Sequence, residues 1–326
     1  MRSRRTLRRL SMATVVVTYL LVVLGDTVRV THSGMGCRSW PLCNGNIGLI
    51  GTYHAMLEQS HRYLAAVVTA LVILTFLVAR RQARADRTVR AASVVSLVTI
   101  AIQVPLGAIT VFAHNAGWTV AMHLAGAWLV VAAVTTTMMA VLKGTGSRSL
   151  PAGRGVARAL VRPLGISIVA VFLVAVAGML VLHDGATLSC PSWPLCAGSI
   201  GSFGVLLQYA HRFIALSAGV ALVWLTARTW RLEGATALQR NLAAGTLGLL
   251  VVTAGFGAVV ATTGAPEYAQ DLHLALASGV WLSLVALASD VALSRSAPVP
   301  VADGRRDPPV CQAGVAGERE RVLGEA

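Results

Sequence analysis

Long apolar runs, each about as long as a bilayer crossing, alternate with short polar segments along the chain. Eight such runs occupy residues 10–30, 53–79, 91–113, 118–142, 160–182, 205–227, 241–263 and 269–293. A helix needs about 20 mostly apolar residues to cross the hydrocarbon core. Within lipid, only helices and closed barrels satisfy every backbone hydrogen bond internally. The pattern therefore predicts an all-α membrane protein with eight transmembrane helices. After residue 295 the chain turns rich in Pro, Gly and charge, which predicts a disordered cytoplasmic tail over 296–326. Cys311 in that tail reads as an ordinary cytosolic thiol.

Composition agrees. Of 326 residues, 56% are hydrophobic and only 12% charged, about half the charge of a soluble domain. Mean hydropathy is +0.70. The formal net charge of +14 raises the question of nucleic-acid binding. The positions of the cations answer it. Of 27 Lys and Arg residues, 23 fall in the N-terminal segment, in every second loop and in the C-terminal segment. By the positive-inside rule these segments are cytoplasmic, with both termini inside. The charge then encodes topology and contact with membrane lipid, and no nucleic-acid partner is expected. Ser3-Arg4-Arg5 faintly resembles a twin-arginine export signal. No convincing cleavage site ends the run and seven more spans follow, so a retained first helix is expected.

The chain also repeats itself. Cys37-Arg-Ser-Trp-Pro-Leu-Cys43 matches Cys190-Pro-Ser-Trp-Pro-Leu-Cys196 at an offset of 153. Glu58-Gln-Ser-His61-Arg62 matches Gln208-Tyr-Ala-His211-Arg212 at an offset of 150, as do the segments starting at Gly107 and Gly257, and His123 with His273. A three-residue difference in one outer loop accounts for the two offsets. Two duplicated four-helix halves in parallel orientation are expected, 1–148 and 149–295.

The residues able to do chemistry sit in this repeated frame. His61, His123, His211 and His273 lie in spans two, four, six and eight, each within two to three turns of the outer end. Ionisable groups inside a membrane are costly and face a bundle interior or a cofactor. Two His on facing helices can supply both axial ligands of a haem iron, which predicts one haem site in each half. Zinc fits less well, because each half offers only two buried His; copper is not excluded by spacing. Arg62 and Arg212 follow two of these His, and either reach the interface or pair with haem propionates. Glu58 shares a helix face with His61, whereas its repeat partner is Gln208, which cannot ionise. A carboxyl in apolar surroundings can hold or release a proton beside a reacting group; the alternative is a structural hydrogen-bonding role. This inequality puts the chemistry in the N-terminal half and a permanent cofactor in the C-terminal half. Cys37 and Cys43, and Cys190 and Cys196, lie in outer loops, where a disulfide within each pair is expected and metal binding is the alternative. His32, His54, His114 and His183 read as ordinary loop or span-end residues, and Asp271 does not share a helix face with His273.

In combination these features resemble the haem A synthase family over residues 10–293. The resemblance rests on the paired halves, the four His, Glu58-Gln-Ser-His61-Arg62, and the Cys37/Cys43 pair. It implies oxidation of the C8 methyl of haem O to the formyl of haem A, through a hydroxymethyl intermediate. It further implies that His61 and His123 hold substrate haem, that His211 and His273 ligate haem b, and that Glu58 stands at the reacting side. The expected partners are a haem O synthase, a haem-copper terminal oxidase that receives haem A, and an unidentified electron acceptor or donor. The expected location is the plasma membrane, with haem sites toward the extracytoplasmic side. The alternatives from other classes are a two-haem b-type electron-transfer protein and a haem carrier or exporter.

Overall fold

The computed structural model describes residues 2–48, 51–84, 86–144, 151–183, 185–196 and 201–295. The expected tail, with Cys311, and the side chain of His183 lie outside the described residues. Among the described residues eight α-helices form: α1 (Arg2–Val30), α2 (Tyr53–Gln82), α3 (Arg87–Phe112), α4 (Gly117–Lys143), α5 (Pro151–His183), α6 (Phe203–Arg231), α7 (Ala237–Thr262) and α8 (Glu267–Arg295). Among the described residues, one 3-10 turn, Ala186–Leu188, follows α5. All eight helices are long and apolar enough to cross a membrane; this is a multi-pass membrane protein.

Each expected span is present, and the helices outrun the apolar runs. α1 begins eight residues before its run and α5 nine. The bilayer core ends where hydropathy falls, but the i to i−4 backbone ladder continues as long as the residues tolerate it. Arg is a good helix former, so the basic segments extend α1, α2, α5 and α6. Where helices do start, polar side chains satisfy the free N–H groups: Thr52, Asp86 and Ser202 cap α2, α3 and α6, and Thr236 with Gln239 forms a capping box on α7.

Contacts run around a ring from α1 to α2, α3, α4 and back to α1, and α5 to α8 form a second ring in the same order. Within each ring the even helices stand on the diagonal, so α2 faces α4 and α6 faces α8 across the interior. The rings join mainly through α4, α8, α1 and α5. Trp128 and Trp281 stack there with centroids 5.4 Å apart, and the Trp281 indole donates to the Trp128 carbonyl at 2.8 Å. Leu160, Leu164, Leu222, Leu225 and Leu284 fill the core around them. Hydroxyl pairs join helices within each ring, Thr14 with Thr75 and Ser96 with Thr137 in the first, Thr246 with Ser283 in the second.

One ionic knot locks the arginine-rich end. Asp290, 3% exposed, receives Lys143 at 3.0 Å and the Gln239 amide at 2.8 Å, tying α4, α7 and α8 together. Asp290→Ala strands a cation and an amide. Lys143 is 24% exposed, so the expected loss is about 2 kcal/mol, between surface and fully buried pairs. The check is a lower thermal-unfolding midpoint in detergent.

Candidate functional site

His61 and His211 lie eight residues into α2 and α6, and His123 and His273 six residues into α4 and α8. At 1.5 Å per residue, all four are about 9–12 Å from the helix starts, at the end that carries the cysteine loops. They come together as two pairs. His61 is close enough to His123 to interact electrostatically, and His211 likewise to His273. Each pair spans the diagonal of one ring.

Each imidazole rests against a glycine of the preceding helix. A methyl group at Gly25 on α1 would stand 2.9 Å from Cε1 of His61; the corresponding distances are 3.0 Å for Gly107 and His123, 3.2 Å for Gly178 and His211, and 3.0 Å for Gly257 and His273. A side chain at Gly25 would collide with the ring, and one at the other three would press on it more tightly than ordinary van der Waals contact. Gly107 and Gly257 are legible as repeat positions and Gly25 and Gly178 recur at the offset of 153, but their place against the imidazoles is not. Nδ1 of His61 is buried without a hydrogen-bond partner. Two opposed imidazoles, with small residues beside each, fit a planar macrocycle that needs only axial ligands. Among the described residues, no group of three or more His, Cys, Asp or Glu is placed to hold a bare metal ion, which disfavours a zinc centre.

Glu58 is buried, and both carboxylate oxygens have donors. The Cys37 amide donates to Oε2 at 2.8 Å and Arg62 Nη2 to Oε1 at 2.6 Å. The surroundings are therefore less apolar than expected from its place in a span. The Cys37 donor could not be read from the sequence, because it comes from a loop 21 residues away, whereas the Arg62 donor lies at ordinary i,i+4 spacing.

Arg62 has a further task. Its Nη1 donates to the carbonyls of Ser39, Pro41 and Leu42, and its Nη2 to that of Cys37. Arg212 repeats the arrangement on Ser192, Pro194 and Cys190. Both loops are closed by disulfides, Cys37–Cys43 with an S–S distance of 1.93 Å and Cys190–Cys196 with 2.00 Å. Both contain a cis peptide bond, Trp40–Pro41 and Trp193–Pro194. Each loop is thus clamped onto the helix that carries a candidate ligand. Gln208 adds two bonds of its own, donating to Ala186 and Thr187 carbonyls at 2.9 Å. Where Glu58 accepts from its loop, Gln208 donates to its own.

Arg62→Ala should free the first loop and leave the second closed. Hydrogen bonds from a charged group are each worth about 1.5–3 kcal/mol. The Cys37 amide is therefore expected to exchange its hydrogen about 10- to 100-fold faster, with loop 190–196 unchanged, in hydrogen-exchange mass spectrometry.

The remaining expected positions fall outside the pairs. His54 Nδ1 meets Ser33 at 2.8 Å, while His32 and His114 occupy positive-φ turns. Asp271 faces Asp26 and Thr27 on α1.

The geometry agrees with what similarity to known proteins shows. The sequence profile of COX15-CtaA, described as cytochrome oxidase assembly protein, matches residues 8–52 and 50–285. The chain belongs to this family. It is also similar to "Heme A synthase" of Geobacillus thermodenitrificans, 32% identical over 234 residues covering 69% of this chain and 72% of the relative. The protein of the same name from Geobacillus kaustophilus is 30% identical over 69% of this chain and 71% of its own length. That of Symbiobacterium thermophilum is 29% identical over 85% and 92%. The paired histidines lie inside the region that the family profile covers.

Proposed function

We propose that this chain is a haem A synthase, oxidising the C8 methyl of haem O to the formyl of haem A by way of a hydroxymethyl intermediate. The observation that carries the reading is the inequality of two matched sites: Glu58 stands one turn before His61, and Gln208 stands in the same place before His211. Family membership and the names of the relatives support the same activity.

In this reading His61 and His123 hold the substrate in the N-terminal half, 1–148, and His211 and His273 hold a resident haem b in the C-terminal half, 149–295. When bound, haem b supplies an iron centre that takes up and passes on single electrons. The protein does the rest. The glycines set the depth of each imidazole. The Cys37–Cys43 loop, clamped by Arg62, covers the end of the bundle from which water would enter. Glu58 keeps a fixed orientation from two donors, and an ionised carboxylate has about four lone-pair sites, of which two are then used. The others are free to accept the protons that leave as the methyl group is oxidised. Arg212 would place positive charge at the rim, suited to a propionate, whereas the charge of Arg62 is matched by Glu58 and its Nη donors are taken by the loop.

The arginine distribution supports an orientation with both termini cytoplasmic and the haem sites toward the extracytoplasmic side of the plasma membrane. A haem O synthase would supply the substrate, a haem-copper terminal oxidase would receive the product, and an electron acceptor would complete each turnover. All four histidines lie near one end of the bundle, which favours an exchanging substrate and a neighbouring redox group over a wire crossing the membrane. The test is co-expression with a haem O synthase in a host that makes no haem A: extracted haem should include haem A. Haem O alone, with this protein folded and haem-loaded, would overturn the reading.

A further inference from the structure

The arginine-rich end of the N-terminal ring carries a cavity that topology alone does not require. Arg80 near the end of α2, with Arg87 and Arg90 in the first turn of α3, converges on an open space of about 280 Å³, and Ala91 and Val94 complete its wall. Small-ligand sites begin at roughly 300 Å³. The positive-inside rule asks only that cations stand in the loop. Arg81 and Arg84 meet that demand as well, and neither lines the cavity.

Among the described residues no carboxylate answers these three charges; the ion pairs lie elsewhere, at Arg29, Arg62 and Lys143. The one acid of the loop, Asp86, is engaged in capping α3 through the Val89 amide. Nε of Arg90 is buried without a hydrogen-bond partner. The Arg80 guanidinium stands 5.6 Å from the centre of the Phe76 ring, which holds it beside the cavity. The N-terminus of α3 adds its partial positive charge at the same place. Together these groups favour an anion.

The second ring lacks the arrangement. At an offset of 150 the three positions are Trp230, Ala237 and Arg240, and Arg240 reaches back to the Leu232 carbonyl at 3.4 Å. One cation of three is repeated, so the cluster is no by-product of the repeat. The helices beside the cavity indicate which anion it suits. Val94, Val98 and Ile102 follow at i,i+4 spacing along α3, as Ile73 and Leu77 do along α2, and all five are exposed. A free phosphate would meet the arginines alone. A phospholipid would meet the arginines with its phosphodiester and these apolar stripes with its tails.

We propose that Arg80, Arg87 and Arg90 form a site for the phosphate of one anionic phospholipid, whose acyl chains lie along α2 and α3. Guanidinium groups take phosphate oxygens through paired N–H donors. This end is cytoplasmic in the orientation proposed above, and the cytoplasmic leaflet is rich in anionic lipid. The lipid bridges α2, which carries Glu58 and His61, to α3, at the end opposite the histidines. The inference does not depend on the haem assignment.

The test is native mass spectrometry of the purified full chain in detergent, delipidated and then titrated with dioleoyl phosphatidylglycerol or dioleoyl phosphatidylcholine. Each arginine near an anionic lipid is worth about fivefold in affinity, so wild type should hold one phosphatidylglycerol about 100-fold more tightly than phosphatidylcholine. Arg87→Gln combined with Arg90→Gln should weaken phosphatidylglycerol about 25-fold. Arg81→Gln combined with Arg84→Gln removes the same charge from the same loop without touching the cavity, and should weaken it no more than about twofold, because exposed charges away from the phosphate are screened. Equal loss in the two double variants, or equal retention of the two lipids, would show only the general attraction of a basic loop and overturn the proposal. Excess inorganic phosphate should leave the lipid bound; displacement by it would mark a free-anion site and also overturn it. Should the Arg87/Arg90 double variant fail to elute as a single folded species, Arg80→Gln, at the exposed end of α2, decides: about fivefold weaker binding is expected, and unchanged binding sinks the site.

Discussion

His273→Ala yields a protein that is purified without its resident haem. The expected effect is large because three features meet at this side chain. It lies opposite His211 in one ring, its Nδ1 is held at 2.9 Å by the Thr253 carbonyl, and Gly257 leaves the space its ring fills. Loss of a partner behind a ligand ordinarily costs 10- to 100-fold in affinity, so loss of the ligand itself should cost at least roughly 100-fold. The loss should be confined to one ring: His123→Ala should retain the resident haem and lose the second, exchangeable equivalent. The measurement is the pyridine haemochrome content per chain of purified wild type, His273→Ala and His123→Ala. Equal resident haem in all three would contradict the assignment of the C-terminal ring as the cofactor site.

The second large effect is expected at Glu58. Glu58→Gln keeps the side-chain shape, retains an oxygen to accept from the Cys37 amide, and takes away the negative charge. General acid–base groups contribute about 10²–10⁴-fold to rate, and conversion of haem O should fall by that order while the resident haem remains. The same change also removes the 2.6 Å ion pair with Arg62, so loss of loop order must be separated from loss of a base. Arg62→Ala makes that separation. It opens the loop and leaves the carboxylate in place, and the account expects it to retain more conversion than Glu58→Gln. If the two variants lose activity equally and loop exchange rises equally in both, Glu58 acts through the loop rather than on the substrate.

Much of this was legible in the chain. Hydropathy alone places eight helices, because lipid imposes the same requirement on every crossing. The repeat identifies the four histidines and singles out Glu58 against Gln208. What stayed hidden has a common physical cause. The clamps made by Arg62 and Arg212 end on backbone carbonyls, which every residue has and no motif records. The glycines beside the imidazoles act by what they lack, and their recurrence at offsets of 150 and 153 marks them as repeated without showing what they touch. The Lys143–Asp290 pair joins positions 147 residues apart, outside the reach of helical spacing.

The measurement closest to the central claim is the haem extracted from membranes of a host that lacks haem A and carries a haem O synthase. Wild type, Glu58→Gln and His273→Ala are expressed in parallel, and the extracts are resolved by chromatography and mass. Haem A, with some hydroxymethyl intermediate, is expected from wild type, and mostly unconverted haem O from both variants, with resident haem kept only in Glu58→Gln. Haem O alone from wild type that is folded and fully haem-loaded would contradict it.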